Sequence, residues 1–197
     1  SFLESRSKPI GIIFGGIEFE DLRPSRDEIA KMKTDGTFPF GQFPVLQVDG
    51  KTIAQTGAIA RFCGKLSGLY PSKDEFAAAK VDEVIDLATD ITNQMRPALR
   101  EKDPKLRIEM RRELSKTILP RWLGFLEKLL QDNGDTGFFV GHSISVADLA
   151  VWRLCAWISG GIIDGLPVDL LDGFPLLSVH QSQISNLPKV VEWIKKH

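Results

Sequence analysis

Thiols are scarce in this sequence: among its 197 residues only Cys63 and Cys155 are cysteine, far apart and with no CxxC. That usage excludes a redox dithiol, a disulfide framework and a thiolate zinc site, and it fits a reducing compartment. Tyrosine is scarcer still, with Tyr70 its sole example. An excess of either charge is also missing. Lys plus Arg total 25 against 26 for Asp plus Glu, a net charge of -1, so no basic field draws nucleic acid or anionic lipid, and neither is expected as a partner. No run approaches the roughly 20 apolar residues of a membrane span, and the apolar part of SFLESRSKPIGIIFGG is too short for a signal peptide. A cytoplasmic protein without a metal is therefore expected. What the sequence does have is apolar material, 43% of its residues, enough for one large domain or two small ones.

The texture changes near residue 70. Before it, short segments are punctuated by Gly and Pro: residues 10–14, then Gly15 and Gly16, then residues 17–22, which reads as mixed α/β. Over residues 44–55 two short apolar runs flank Asp49-Gly50, a dipeptide suited to the positive φ angles of a tight turn, so two antiparallel strands are expected. A helix then opens at Thr56, with Ile59, Phe62, Cys63 and Leu66 on its apolar stripe. Residues 68–73 read as linker, and the domain boundaries fall at 1–70 for the front domain, 71–76 for the linker and 77–197 for an all-helical back domain. There Val81, Val84, Ile85, Ala88, Ile91 and Met95 form one helical face. Leu106, Met110, Leu114, Leu119, Trp122, Leu126 and Leu129 form another on one later helix. VADLAVWRLCAWI, residues 146–158, is apolar on nearly every side, as the centre of a bundle should be. Pro175 and Pro188 sit where two further helices start, the position at which a missing N–H matters least.

Two places carry chemistry. Phe43-Pro44 precedes the first strand, where a proline is compatible with a cis bond or with an ordinary strand entry. Across the hairpin, Gln55-Thr56 stands at a helix start, where free N–H groups and the positive end of the helix dipole favour a carboxylate. Thr56 also suits an N-cap, and capping alone is as good an account of it. Together the two places outline a site for a peptide with an anionic end.

PFGQFPVLQVDGKTIAQTGAIARF, residues 39–62, resembles the glutathione-site segment of glutathione transferases. In that family the backbone before a cis-proline pairs with the cysteinyl part of glutathione, and a Gln-Ser or Gln-Thr pair holds the γ-glutamyl carboxylate. The resemblance implies glutathione as co-substrate, held by Gln42, Phe43, Pro44, Gln55 and Thr56. It implies a thioredoxin-like α/β N-terminal domain followed by an all-α C-terminal bundle. GHSISVADLAVW, residues 141–152, resembles the family's internal capping box, with Ser145 and Asp148 in a structural role. VDEVIDLATDIT, residues 81–92, is similar to the sigma-class helix whose aspartate reaches across a homodimer to the glutathione amino group. Asp90 matches by position, although a solvated helix carboxylate among Asp82, Glu83 and Asp86 is an equal reading.

The first sixteen residues match least. SRSKPI, residues 5–10, aligns with the family's GRAEPI, which puts Arg6 in the place of its site arginine, an auxiliary to catalysis, and the catalytic tyrosine just ahead of Ser1. Either that strand lies outside the sequence or the site is degenerate. Tyr70 belongs to the linker. A free thiol has a pKa near ~8.5 and needs a donor to become thiolate at neutral pH, and with no cysteine nearby the reductase branches of the family do not fit. Two functions follow from the resemblance. One is a transferase acting on small apolar electrophiles in detoxification, or isomerising a lipid-derived substrate. The other is a catalytically weak binding or structural protein in the manner of lens crystallins. The electrophile pocket is expected to draw on the helix around Met95 to Leu99.

Overall fold

The computed structural model describes residues 14–134 and 136–195. Its first helix, α1 (Arg26–Thr34), opens on a Ser25–Glu28 capping box, the Ser25 N–H donating to Glu28 Oε2 at 2.7 Å. The Ser-x-x-Glu spacing that signals such a start stands in the sequence. Asp49 and Gly50 take φ of 49° and 74°, the left-handed pair that a two-residue hairpin turn requires. They join β1 (Val45–Val48) to β2 (Lys51–Ala54) in an antiparallel ladder, Val45 opposite Ala54 and Leu46 opposite Ile53. The chain then enters α2 (Thr56–Leu66) directly. Ile59 and Cys63 turn inward and pack under Ile17, Leu46 and Ile53. Leu66, expected on the same stripe, is 54% exposed, because the stripe runs off the hairpin at the last turn.

The remaining helices form the second layer. Asp74 caps α3 (Glu75–Arg100), accepting from Ala77 N at 3.0 Å. All six residues expected on its inner face, from Val81 to Met95, are buried. The stripe assigned to one later helix belongs to two, α4 (Pro104–Lys116) and α5 (Ile118–Asp132). Thr117, at φ -118° and ψ -61°, ends the first and begins the second, and its hydroxyl donates to Glu113 O at 2.8 Å. Pro120 marks the break in the sequence, since its ring is tolerated only in a first turn. Leu106 is 45% exposed, whereas Leu119, Leu123 and Leu126 are fully buried. α6 (Val146–Ser159) packs against α2, α3 and α7 (Pro175–Ser185), and α8 (Pro188–Lys195) closes the described chain. Among the described residues no helix is long and apolar enough to cross a membrane.

Two devices dock α2 onto the bundle. A Cβ on Gly64 would lie 2.8 Å from Val146 Cγ1, so only glycine permits this approach of α2 to the start of α6. Arg61 donates to Asp82 Oδ1 at 2.6 Å and to Asp86 Oδ1 at 2.7 Å, both on α3, and the Tyr70 hydroxyl donates to Asp82 Oδ1 at 3.1 Å. Burial lowers the Arg61 pKa, but the bonds to Asp86 and Asp82 outweigh it and raise the pKa overall. The front layer is thereby fixed against α3.

Candidate functional site

Gln42, Phe43 and Pro44, on the approach to β1, and Ala54, Gln55 and Thr56, at the β2–α2 junction, line one cleft together with Phe40 and Arg96. Of the residues the sequence put forward for ligand binding, these bring together Gln42, Phe43, Pro44, Gln55 and Thr56. The Phe43-Pro44 peptide bond is cis. The Phe43 ring meets Phe38 at a centroid distance of 6.2 Å, and Phe38 is buried, which anchors the loop. Among the described residues the Phe43 main chain takes part in no hydrogen bond, leaving it free to pair with an extended peptide as an added strand does.

Gln55, rather than Thr56, occupies the N-cap position of α2, and Thr56 is its first helical residue. Gln55 has φ 74° and ψ 123°, a region that side-chain-bearing residues seldom adopt and that persists where the surroundings impose it. No side chain caps the first turn. Among the described residues its first N–H groups have no acceptor, and with the positive end of the helix dipole they stand at the end of the cleft that Gln55 and Thr56 line. Among the described residues, Arg96, from the end of α3, is the only charged side chain of the lining. The surface so formed combines an open backbone edge with an electropositive end, and its chemistry is that of an extended peptide ending in a carboxylate.

Ser145 and Asp148 form a capping box at the start of α6. Asp148 Oδ2 accepts from Ser145 N at 2.7 Å and Ser145 Oγ at 2.8 Å, while Oδ1 accepts from Phe139 N at 2.9 Å and faces His180 Nε2 at 3.1 Å. Asp148 and His180 are both buried, and the Phe139 ring meets the His180 ring edge-on at 4.9 Å. Both carboxylate oxygens are engaged, so the group ties a loop and two helices together instead of exchanging protons with a substrate.

Asp90 is exposed on α3 and does not line the cleft. Its neighbours Asp82 and Asp86 hold Arg61. Arg6 lies outside the described residues. Burial pushes the Cys63 thiol up to about 11 and the Cys155 thiol up to about 12, which keeps both protonated and inert. Of the stretch from Met95 to Leu99, Met95 and Ala98 are buried in the core, and Arg96 is the residue that reaches the cleft. Sequence reasoning did not single it out, because an exposed helix arginine carries no mark of what it faces.

Comparison with known proteins is consistent along the chain. Residues 14–64 match the family model "Glutathione S-transferase, N-terminal domain" and residues 89–197 match "Glutathione S-transferase, C-terminal domain". Glutathione S-transferase 1 of Ascaris suum is 32% identical over 185 residues, covering 91% of this chain and 84% of that one. Prostaglandin synthase D of Nilaparvata lugens superposes with a TM-score of 0.82 at 27% identity, over 95% of this chain and 89% of that one. Na-GST-3, described as a monomeric glutathione S-transferase from the hookworm Necator americanus, gives 0.78 at 32% identity, over 96% and 90%.

Proposed function

From the premise that this chain belongs to the glutathione S-transferase family, we propose that it binds glutathione in the cleft between Phe43 and Thr56 and presents the thiol to small apolar electrophiles. The observation that carries the reading is the start of α2: an uncapped helix N-terminus with a left-handed Gln55, in one cleft with a Phe43 backbone that is unpaired among the described residues. The γ-glutamyl carboxylate sits on the Gln55-Thr56 end, where the dipole and free N–H groups stabilise it. The cysteinyl main chain pairs with Phe43, and the Gln42 amide borders the same edge. On this reading the sulfur lies beside the Pro44 end of the cleft. Lowering its pKa calls on a donor from the segment ahead of α1, with Arg6 as auxiliary.

The sigma-class pattern of residues 81–92 supports a finer reading, and the likeness to a prostaglandin synthase D favours isomerisation of lipid-derived substrates beside detoxifying conjugation. On that reading the protein is a cytoplasmic homodimer in which the exposed Asp90 reaches the glutathione of the partner subunit. The front domain spans 1–70 and the helical domain 77–197, joined by 71–76.

The test is conjugation of 1-chloro-2,4-dinitrobenzene, followed by thioether absorbance at several glutathione concentrations, with glutathione affinity measured by calorimetry. Saturable dependence on glutathione, weakened in Gln55→Ala, is expected. A rate no higher than the uncatalysed one, together with no heat of binding, would overturn the proposal.

A further inference from the structure

We infer that Arg96 is a specificity-determining residue that takes a carboxylate of the molecule bound in the cleft. The inference rests on reading the cleft as a glutathione site and extends it to a group beyond the Gln55-Thr56 end.

The placement of Arg96 is the first ground. It lies on α3 and lines the same cleft as Phe43, Gln55 and Thr56. Its backbone is well held: Met95 and Ala98, on either side of it, are buried, and Arg111 donates from Nε to Ala98 O at 3.2 Å and from Nη1 to Asp164 O at 3.2 Å. Pro97 follows it directly within the helix. With the backbone held, the ordering cost of engaging a ligand is confined to the Arg96 side chain.

Charge is the second ground. Arg96 makes no hydrogen bond and no ion pair with any described residue, unlike Arg61, which the carboxylates of Asp82 and Asp86 occupy on the same helix. Among the described residues the lining contains no Asp or Glu. The guanidinium therefore adds to the positive end of α2, and the cleft presents two electropositive groups with no carboxylate of the described lining to neutralise either. A planar guanidinium with a free fork matches a carboxylate bidentately, and a ligand held by its γ-glutamyl end on α2 offers Arg96 whatever lies across the cleft.

That carboxylate has two sources, the second carboxylate of glutathione itself or one carried on the sulfur substituent. Three ligands that need no turnover separate them: S-methylglutathione, S-(4-carboxybenzyl)glutathione and the methyl ester of its benzyl carboxylate. Each is titrated calorimetrically into the full chain, into Arg96→Gln and into Arg96→Lys, whose folding is checked by thermal melts. If the substituent supplies the carboxylate, Arg96→Gln lowers the preference for the acid over its ester by about tenfold, and Arg96→Lys, which keeps the charge without the fork, restores part of it. If glutathione supplies it, Arg96→Gln weakens all three ligands by about tenfold, again with recovery in Arg96→Lys. Either result supports the inference and names the source. Unchanged affinities and an unchanged preference in Arg96→Gln overturn it, as does an equal loss in Arg96→Lys. If the parent chain binds none of the three, the glutathione reading itself fails.

Discussion

The starts of α2 and α6 pose the same chemical problem, a first turn of N–H groups with no partner inside the helix, and this protein answers it in opposite ways. At α6 the answer is internal: Asp148 and Ser145 close the turn, and the carboxylate also collects Phe139 N and His180 out of solvent. At α2 no side chain caps the turn, and the residue in the cap position is a Gln with φ 74°. A sealed terminus lowers the energy of the fold, whereas an open one, on the proposed reading, keeps its donors for a ligand. The difference separates stability from function by position, and each side of it can be broken on its own.

The largest expected effect is on the sealed side. Asp148→Ala strands two buried backbone N–H groups and the His180 ring, and should lower the unfolding free energy by about 3–5 kcal/mol, read from urea midpoints at constant slope. Ser145→Ala removes one bond to the same carboxylate and should cost about 1–2 kcal/mol. Midpoints equal to the parent's would contradict the sealing role.

On the open side the same kind of change should move affinity and spare the fold. Gln55→Ala is expected to weaken glutathione by about 1–3 kcal/mol, as for loss of a hydrogen bond to a charged group, with stability within about 0.5 kcal/mol of the parent. Gln55→Gly sharpens the contrast, because glycine adopts the left-handed region freely: stability should rise by about 1 kcal/mol while binding falls. A Gly variant that is neither more stable nor weaker in binding would mean that the backbone there carries no strain.

The smallest effect near neutral pH concerns the thiols, one on each of these helices. Burial raises both above the ordinary 9.0, Cys63 to about 11 and Cys155 to about 12. The unfolded chain then loses these protons first, so the stability they contribute is complete below pH 9 and is lost as the pH rises through 11 and 12. Alkylation of the folded protein should accordingly be slow at pH 8 at both thiols and should appear first at Cys63 as the pH is raised. Rapid labelling of Cys155 at pH 8 would contradict its burial.

These contrasts were unevenly legible in the sequence. Asp49-Gly50 announces the hairpin because few dipeptides accept two positive φ angles, and the spacing from Val81 to Met95 announces α3 because a buried face imposes a period. Ser145 and Asp148 stand at the spacing of a capping box, and the structure adds what spacing does not carry, the reach of Asp148 to Phe139 and His180. The break at Thr117 was hidden by apolar residues that continue through it in phase, with Pro120 as its one local mark. Thr56 suited an N-cap on paper. Gln55 took that position because the exit from β2 sets its backbone, and no residue preference encodes that. Arg96 was illegible for a related reason: which exposed residue of α3 overlooks the cleft depends on how Arg61 and Gly64 set α2 against the bundle.

The most direct test of the account compares the two termini in one experiment, an amide nitrogen–proton correlation spectrum recorded as glutathione is titrated into the isotopically labelled protein. The account predicts saturable shifts in the amides of Phe43, Thr56 and Gly57, moving toward the values of strongly hydrogen-bonded donors, while those of Ser145 through Asp148 stay in place. Saturable shifts elsewhere, with Phe43, Thr56 and Gly57 unmoved, would contradict it, for the open terminus would then not be where the ligand binds.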